Sequence, residues 1–104
     1  MVADDAAVRG VVCLGYPFHP PGKPAQTRTR HLERLRTPAL ILQGTRDPFG
    51  KPEEVGKYQI SRAIRIEWLE DGDHSFRPRV RSGRTEGENL AQAVAYMTAF
   101  MRSL

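Results

Sequence analysis

Three short apolar runs organise the chain. Gly10-Val11-Val12-Cys13-Leu14-Gly15-Tyr16 and Ala39-Leu40-Ile41-Leu42-Gln43 are continuous and rich in strand-forming residues. Runs of that kind predict strands covered on both faces of a parallel sheet. Ile64-Arg65-Ile66-Glu67-Trp68-Leu69 alternates instead, with Ile64, Ile66 and Trp68 on one face and Arg65 and Glu67 on the other. That pattern predicts a half-exposed strand near a sheet edge. Roughly twenty residues separate consecutive runs, too many for a hairpin and enough for crossover connections with a helix.

Helix signals fall between and after these runs. Thr29 to Arg36 is a short helix candidate, stopped by Thr37-Pro38. Pro52-Glu53-Glu54 reads as a first helical turn, with proline early and acids at the positive end of the helix dipole. Thr85 and Glu88 have the spacing of a capping box. Beyond it, Leu90, Val94, Met97, Met101 and Leu104 recur at helical spacing, with Ala93 and Phe100 flanking. This stripe is expected to pack on the sheet. The order strand, helix, strand, helix, strand, helix predicts an α/β domain with a parallel sheet of about three strands and flanking helices.

Composition narrows the picture little. At 104 residues the chain is one small domain, and 39% hydrophobic with 27% charged residues argues against a disordered chain. No apolar run approaches the ~18 residues of a membrane-spanning helix. Met1-Val2-Ala3-Asp4-Asp5 has neither a basic nor an apolar leader segment, so no secretory signal is expected and a cytoplasmic location is the default. The single cysteine, Cys13, can form neither an internal disulfide nor a zinc cluster. The net charge of +4 is modest. Arg77, Arg79, Arg81 and Arg84 form a basic loop that reads as a solvated face, and nucleic acid is not an expected partner.

Ligands of open α/β sheets bind at the carboxyl ends of the strands. The loops there are Tyr16 to Pro24, Gly44 to Gly50 and Asp71 to Phe76. Parallel strands place all three on one edge, so an aspartate from one and a histidine from the next can meet. A carboxylate orients an imidazole and leaves its other nitrogen as a general base. Asp47 before His74 matches the chain order acid then histidine. By spacing alone, Asp47 reads equally as a turn residue ahead of Pro48, and His74 as a loop histidine. His19 reads as a pocket wall or as part of a rigid turn set by Pro17, Pro20, Pro21 and Pro24, with the turn preferred. Tyr16 reads as strand-end packing, Trp68 as core and Asp73 as a turn former. Asp47, Asp73, His74 and His19 have no recognised metal-ligand spacing.

Leu40-Ile41-Leu42-Gln43-Gly44-Thr45-Arg46-Asp47-Pro48 resembles the strand and acid loop of α/β-hydrolases, and Asp71-Gly72-Asp73-His74-Ser75-Phe76 resembles their histidine loop. Leu14-Gly15-Tyr16-Pro17-Phe18-His19-Pro20-Pro21-Gly22-Lys23-Pro24 is similar to a dienelactone-hydrolase-like branch. That branch includes the hydrolase-like domain of subunit three of the nonspecific-lethal chromatin complex. The resemblance spans about Val8 to Leu104. It implies that Asp47 is the acid and His74 the base of a catalytic triad, with no cofactor and a small ester-like substrate.

The family's nucleophile lies in G-x-S-x-G on a strand-to-helix turn. Here Ser61, Ser75, Ser82 and Ser103 all lie outside such a motif. Val11-Val12-Cys13-Leu14-Gly15 lacks the first glycine, and Pro17 opposes a following helix, so Cys13 reads as a buried strand residue. The resemblance therefore implies a partial α/β-hydrolase fold, the C-terminal half of the domain over residues 1–104. Met1 to Ala7 would end the helix after the nucleophile turn, with the serine and oxyanion hole upstream. Two expectations follow: little hydrolysis by the chain alone, and self-association through the strand at 10–16, which lacks its neighbour. A non-catalytic interaction module on the same fold is the alternative.

Overall fold

A computed structural model describes residues 8–104, and the helix end expected over Met1 to Ala7 lies outside the described residues. Strands β1 (Val11–Leu14), β2 (Ala39–Gly44) and β3 (Ile64–Leu69) form a parallel sheet in the order β1-β2-β3. Val11 pairs with Ala39, and Ala39 with Ile64. The α/β class and the parallel three-strand sheet agree with the sequence reading.

The central strand explains its own sequence. Every residue of β2 is buried. Ala39 and Ile41 point into a core with Phe18, Leu32, Leu35, Val55 and Ile64. Leu40 and Leu42 point into a second core with Leu69, Phe76, Ala93 and Phe100. Full burial of each large aliphatic side chain contributes about 2 kcal/mol, so the uninterrupted apolar run is what a strand with two packed faces requires.

β1 departs from expectation. Val11 and Cys13 pack against the first core and Val12 against the second, yet these residues are only half-buried and Leu14 is 56% exposed. Among the described residues it pairs on one side only. The alternating β3 is half-buried as expected.

The first crossover contains one 3-10 turn, Arg30–Leu32, rather than a helix from Thr29 to Arg36. Leu32 in the turn and Leu35 three residues on are both buried, and Thr37-Pro38 stops any continuation. The second crossover carries α1 (Pro52–Val55), a single turn with Glu54 Oε1 accepting the Lys51 N–H at 3.0 Å.

The last helix, α2 (Glu86–Arg102), starts where the capping box predicts. Thr85 Oγ1 accepts the Glu88 N–H at 3.1 Å, and Glu88 Oε1 accepts the Thr85 N–H at 2.8 Å. Its packed face differs from the expected one. Asn89, Ala93 and Phe100 are buried, whereas Leu90, Val94, Met101 and Leu104 are exposed by about half. The helix is apolar over more than one stripe, and the sheet covers the stripe one position earlier.

Candidate active site

Three loops meet at the carboxyl edge of the sheet, and backbone contacts set their spacing. The ladder between β1 and β2 ends at Gly15, whose N–H reaches Leu42 O at 2.9 Å and whose φ of 81° turns the chain away. The Gln43 side chain then takes over from the ladder. Its Oε1 accepts the Tyr16 N–H at 2.8 Å, and its Nε2 donates to Tyr16 O at 3.0 Å and Gly50 O at 3.2 Å. A buried amide thus ties the loop after β1 to the loop after β2. Tyr16 itself braces the crossover, its hydroxyl donating to Arg28 O at 2.7 Å and accepting from His31 Nε2 at 2.7 Å.

The loops after β2 and β3 are joined more closely still. The Thr45 N–H bonds Leu69 O and the Arg46 N–H bonds Gly72 O. Thr45 Oγ1 accepts the Asp71 N–H at 2.8 Å, and Arg46 Nε donates to Asp71 O at 2.9 Å. Asp71, at a φ of 57°, sends its carboxylate to Arg79, whose Nη2 lies 2.6 Å from Oδ1 and whose backbone N–H lies 2.7 Å from Oδ2. These bonds hold the Asp71 carboxyl far below the usual carboxylate range and raise the Arg79 guanidinium further. Asn89 anchors the other side of the loop, donating to Glu70 O and Phe76 O while accepting from Arg84 Nε at 2.7 Å.

Within this frame Asp47 and His74 meet. Asp47 is fully buried; its Oδ1 accepts the Phe49 N–H at 2.9 Å, and its Oδ2 lies 2.8 Å from His74 Nδ1. A carboxylate only accepts, so Nδ1 carries a proton, and in the neutral ring Nε2 keeps its lone pair. The His74 side chain is 44% exposed. Its ring lies against Gly15 on one side, and the Phe49 ring stands 4.6 Å away. An imidazole oriented in this way and partly open to solvent can serve as a general base.

The remaining residues sort themselves by contact. Asp73 does not reach His74; its Oδ1 accepts the Ser75 and Arg77 N–H groups, the hydrogen-bonded turn its position suggests. His19 is neither a pocket wall nor a mere turn residue: it is buried and bonded to Glu54. The basic loop is only partly a solvated face. Arg79 bonds Asp71 and Arg84 bonds Asn89, while Arg77 stays largely exposed near Glu86. Cys13 lies within β1 with its thiol pushed up by burial, against nucleophilic use. Among the described residues no three His, Cys, Asp or Glu side chains converge as a metal site, and no helix is long and apolar enough to cross a membrane. A cleft of ≈ 320 Å³ flanks β1, lined by Val11, Cys13, Leu14, Tyr16 and Leu35 among others.

Residues that sequence reading passes over do much of the positioning: Gln43, Thr45, Asp71 and Asn89. Gln43 carried one signal, a polar residue closing an apolar strand. Asn89 carried none, since a polar position in the first turns of a helix is ordinary.

A parallel sheet with crossover connections and its loops gathered at the carboxyl edge defines an α/β domain. The chain belongs to the alpha/beta hydrolase domain family, whose model matches residues 1–102. No solved structure matches it.

Proposed function

We propose that Asp47 and His74 are the acid and base of a serine-type hydrolase triad. In this reading residues 1–104 are the C-terminal half of the hydrolase domain, of the dienelactone-hydrolase-like branch. The nucleophile and the oxyanion donors then come from polypeptide outside these residues. The carrying observation is the 2.8 Å approach of a fully buried carboxylate to Nδ1 of an exposed imidazole. Family membership supports the same reading.

The chemistry follows from that pair. His74 Nε2 removes the proton of the serine hydroxyl as its oxygen attacks the carbonyl carbon of an ester, thioester or lactone. The tetrahedral oxyanion collapses, the bond to the leaving oxygen or sulfur breaks, and His74 returns the proton to it. Water repeats the sequence on the acyl-enzyme, with His74 again as base. Asp47 holds the tautomer and stabilises the imidazolium. The mechanism uses no cofactor.

The test is fluorophosphonate labelling of the complete protein, with a serine adduct expected and its absence counting against the reading. The 104-residue chain alone is expected to show near-background esterase activity; robust turnover abolished by His74→Ala would overturn that division of the site.

One observation favours the alternative, a non-catalytic interaction module. Leu90, Val94 and Met101 of α2, Leu104 just beyond it and Leu14 of β1 leave apolar surface exposed. A nucleophile turn without serine in the complete protein would decide for it.

A further inference from the structure

His19 is 2% exposed, and each ring nitrogen faces an oxygen with no proton to give. Nδ1 lies 2.8 Å from Pro20 O, and Nε2 lies 2.9 Å from Glu54 Oε1. Glu54 Oε1 already accepts the Lys51 N–H, as a carboxylate oxygen does. A neutral imidazole has one N–H and serves one of these acceptors; only the imidazolium serves both. Glu54 on α1 and Asp47 on the loop after β2 are the acids that face it. Lys51 in turn faces Glu54, and burial beside Glu54 raises the Tyr58 phenol. The bonds to Pro20 and Glu54 raise the His19 pKa, and the same contact lowers that of Glu54.

The position of this ring links it to the dyad. The His19 N–H bonds Phe49 O at 3.1 Å, so one residue grips the segment at Phe49 and again at Glu54. The Phe49 N–H bonds Asp47 Oδ1, and the Phe49 ring packs on His74.

We propose that His19 is a positioning residue: a buried imidazolium that clamps the Asp47–Glu54 segment to the loop after β1 and, through Phe49, holds the His74 ring against Asp47. The inference rests on the hydrolase reading only for the purpose that the dyad serves. A histidine with a raised folded-state pKa adds stability that is full below about pH 6.5. That stability is lost as pH rises through the raised value, where the clamp gives up one of its two ring bonds.

Long-range proton–nitrogen spectra of the imidazoles in the 15N-labelled full chain test this over about pH 5.5 to 9. Both His19 nitrogens are expected to stay protonated just above about pH 6.5, where an ordinary imidazole has already given up half of its proton. His74 nitrogen shifts are expected to inflect where His19 loses its proton. His19→Gln should abolish that inflection, and Glu54→Gln should lower the His19 midpoint by about one pH unit or more. A neutral His19 at that pH, or His74 shifts indifferent to its titration, overturns the clamp. Both readings come from the unaltered chain, so a variant that fails to fold leaves the test intact. None of them uses hydrolysis: a chain that passes here but whose complete protein resists fluorophosphonate loses the hydrolase reading and keeps the clamp.

Discussion

Gly44 and Gly72 meet backbone to backbone: a Cβ on Gly44 would stand 2.2 Å from Gly72 O and 2.4 Å from Asp73 O. This contact lies between the strand that leads to Asp47 and the loop that carries His74. A backbone carbonyl cannot swing aside as a flexible side chain does. Gly44→Ala is therefore expected to destabilise the chain by about 3 kcal/mol, the upper end of ordinary overpacking. Urea denaturation followed by circular dichroism measures it, and a loss below about 1 kcal/mol would show that the two loops separate readily.

Gly15 offers a more local perturbation of the dyad. Its φ is 81°, and a Cβ there would lie 3.0 Å from His74 Cε1. Gly15→Ala is expected to cost about 1–2 kcal/mol from the left-handed backbone and to displace the imidazole. Mixed Nδ1 and Nε2 tautomers in the His74 nitrogen spectrum are the expected signature. A single unchanged tautomer would show that the ring has room to spare.

The Asp71 carboxylate makes stability depend on acid. Its pKa is depressed by the Arg79 side chain and backbone and by Arg46. A depressed carboxyl stabilises the fold above its unfolded value of about 4 and loses that contribution as pH falls through the folded value. Asn tolerates the left-handed backbone that Asp71 adopts, so Asp71→Asn removes charge without adding strain. The melting temperature of the variant should be lower at neutral pH and fall less between about pH 5 and pH 2. Parallel profiles for the two proteins would remove Asp71 from the acid response.

Self-association through the β1 edge predicts a concentration-dependent sedimentation coefficient. Leu14→Lys places a charge on that strand where the side chain is already 56% exposed, so it should reduce association without lowering stability. A clean monomer at high concentration, before any substitution, would sink the idea.

The parallel sheet and the meeting of Asp47 with His74 are legible because both follow from strand order: parallel strands deliver their loops to one edge. The start of α2 is legible because Thr85 and Glu88 act on their own backbone neighbours. Which stripe of α2 is covered is not legible, because Leu90 and Val94 are as apolar as Ala93 and Phe100. Only the sheet decides between them. The coverage of β1 depends on what lies beside it, and an apolar run such as Val11 to Leu14 states only what it tolerates. The Thr29 to Arg36 segment carries helix-compatible residues, yet only Arg30–Leu32 forms a turn of helix, and Leu35 is buried without one. The contact of His19 is not legible because its partner, Glu54, lies 35 positions away.

The all-parallel sheet also governs the order of folding. No hairpin joins any two of its strands, and β2 must find partners on both sides across connections of about twenty residues, each with its own closure entropy. During synthesis the most apolar strand of the chain waits, unpaired on its β3 side, until Leu69 has emerged. Asp47 and His74 become neighbours only once β3 has paired with β2, so a nascent chain halted before β3 carries the aspartate without the histidine.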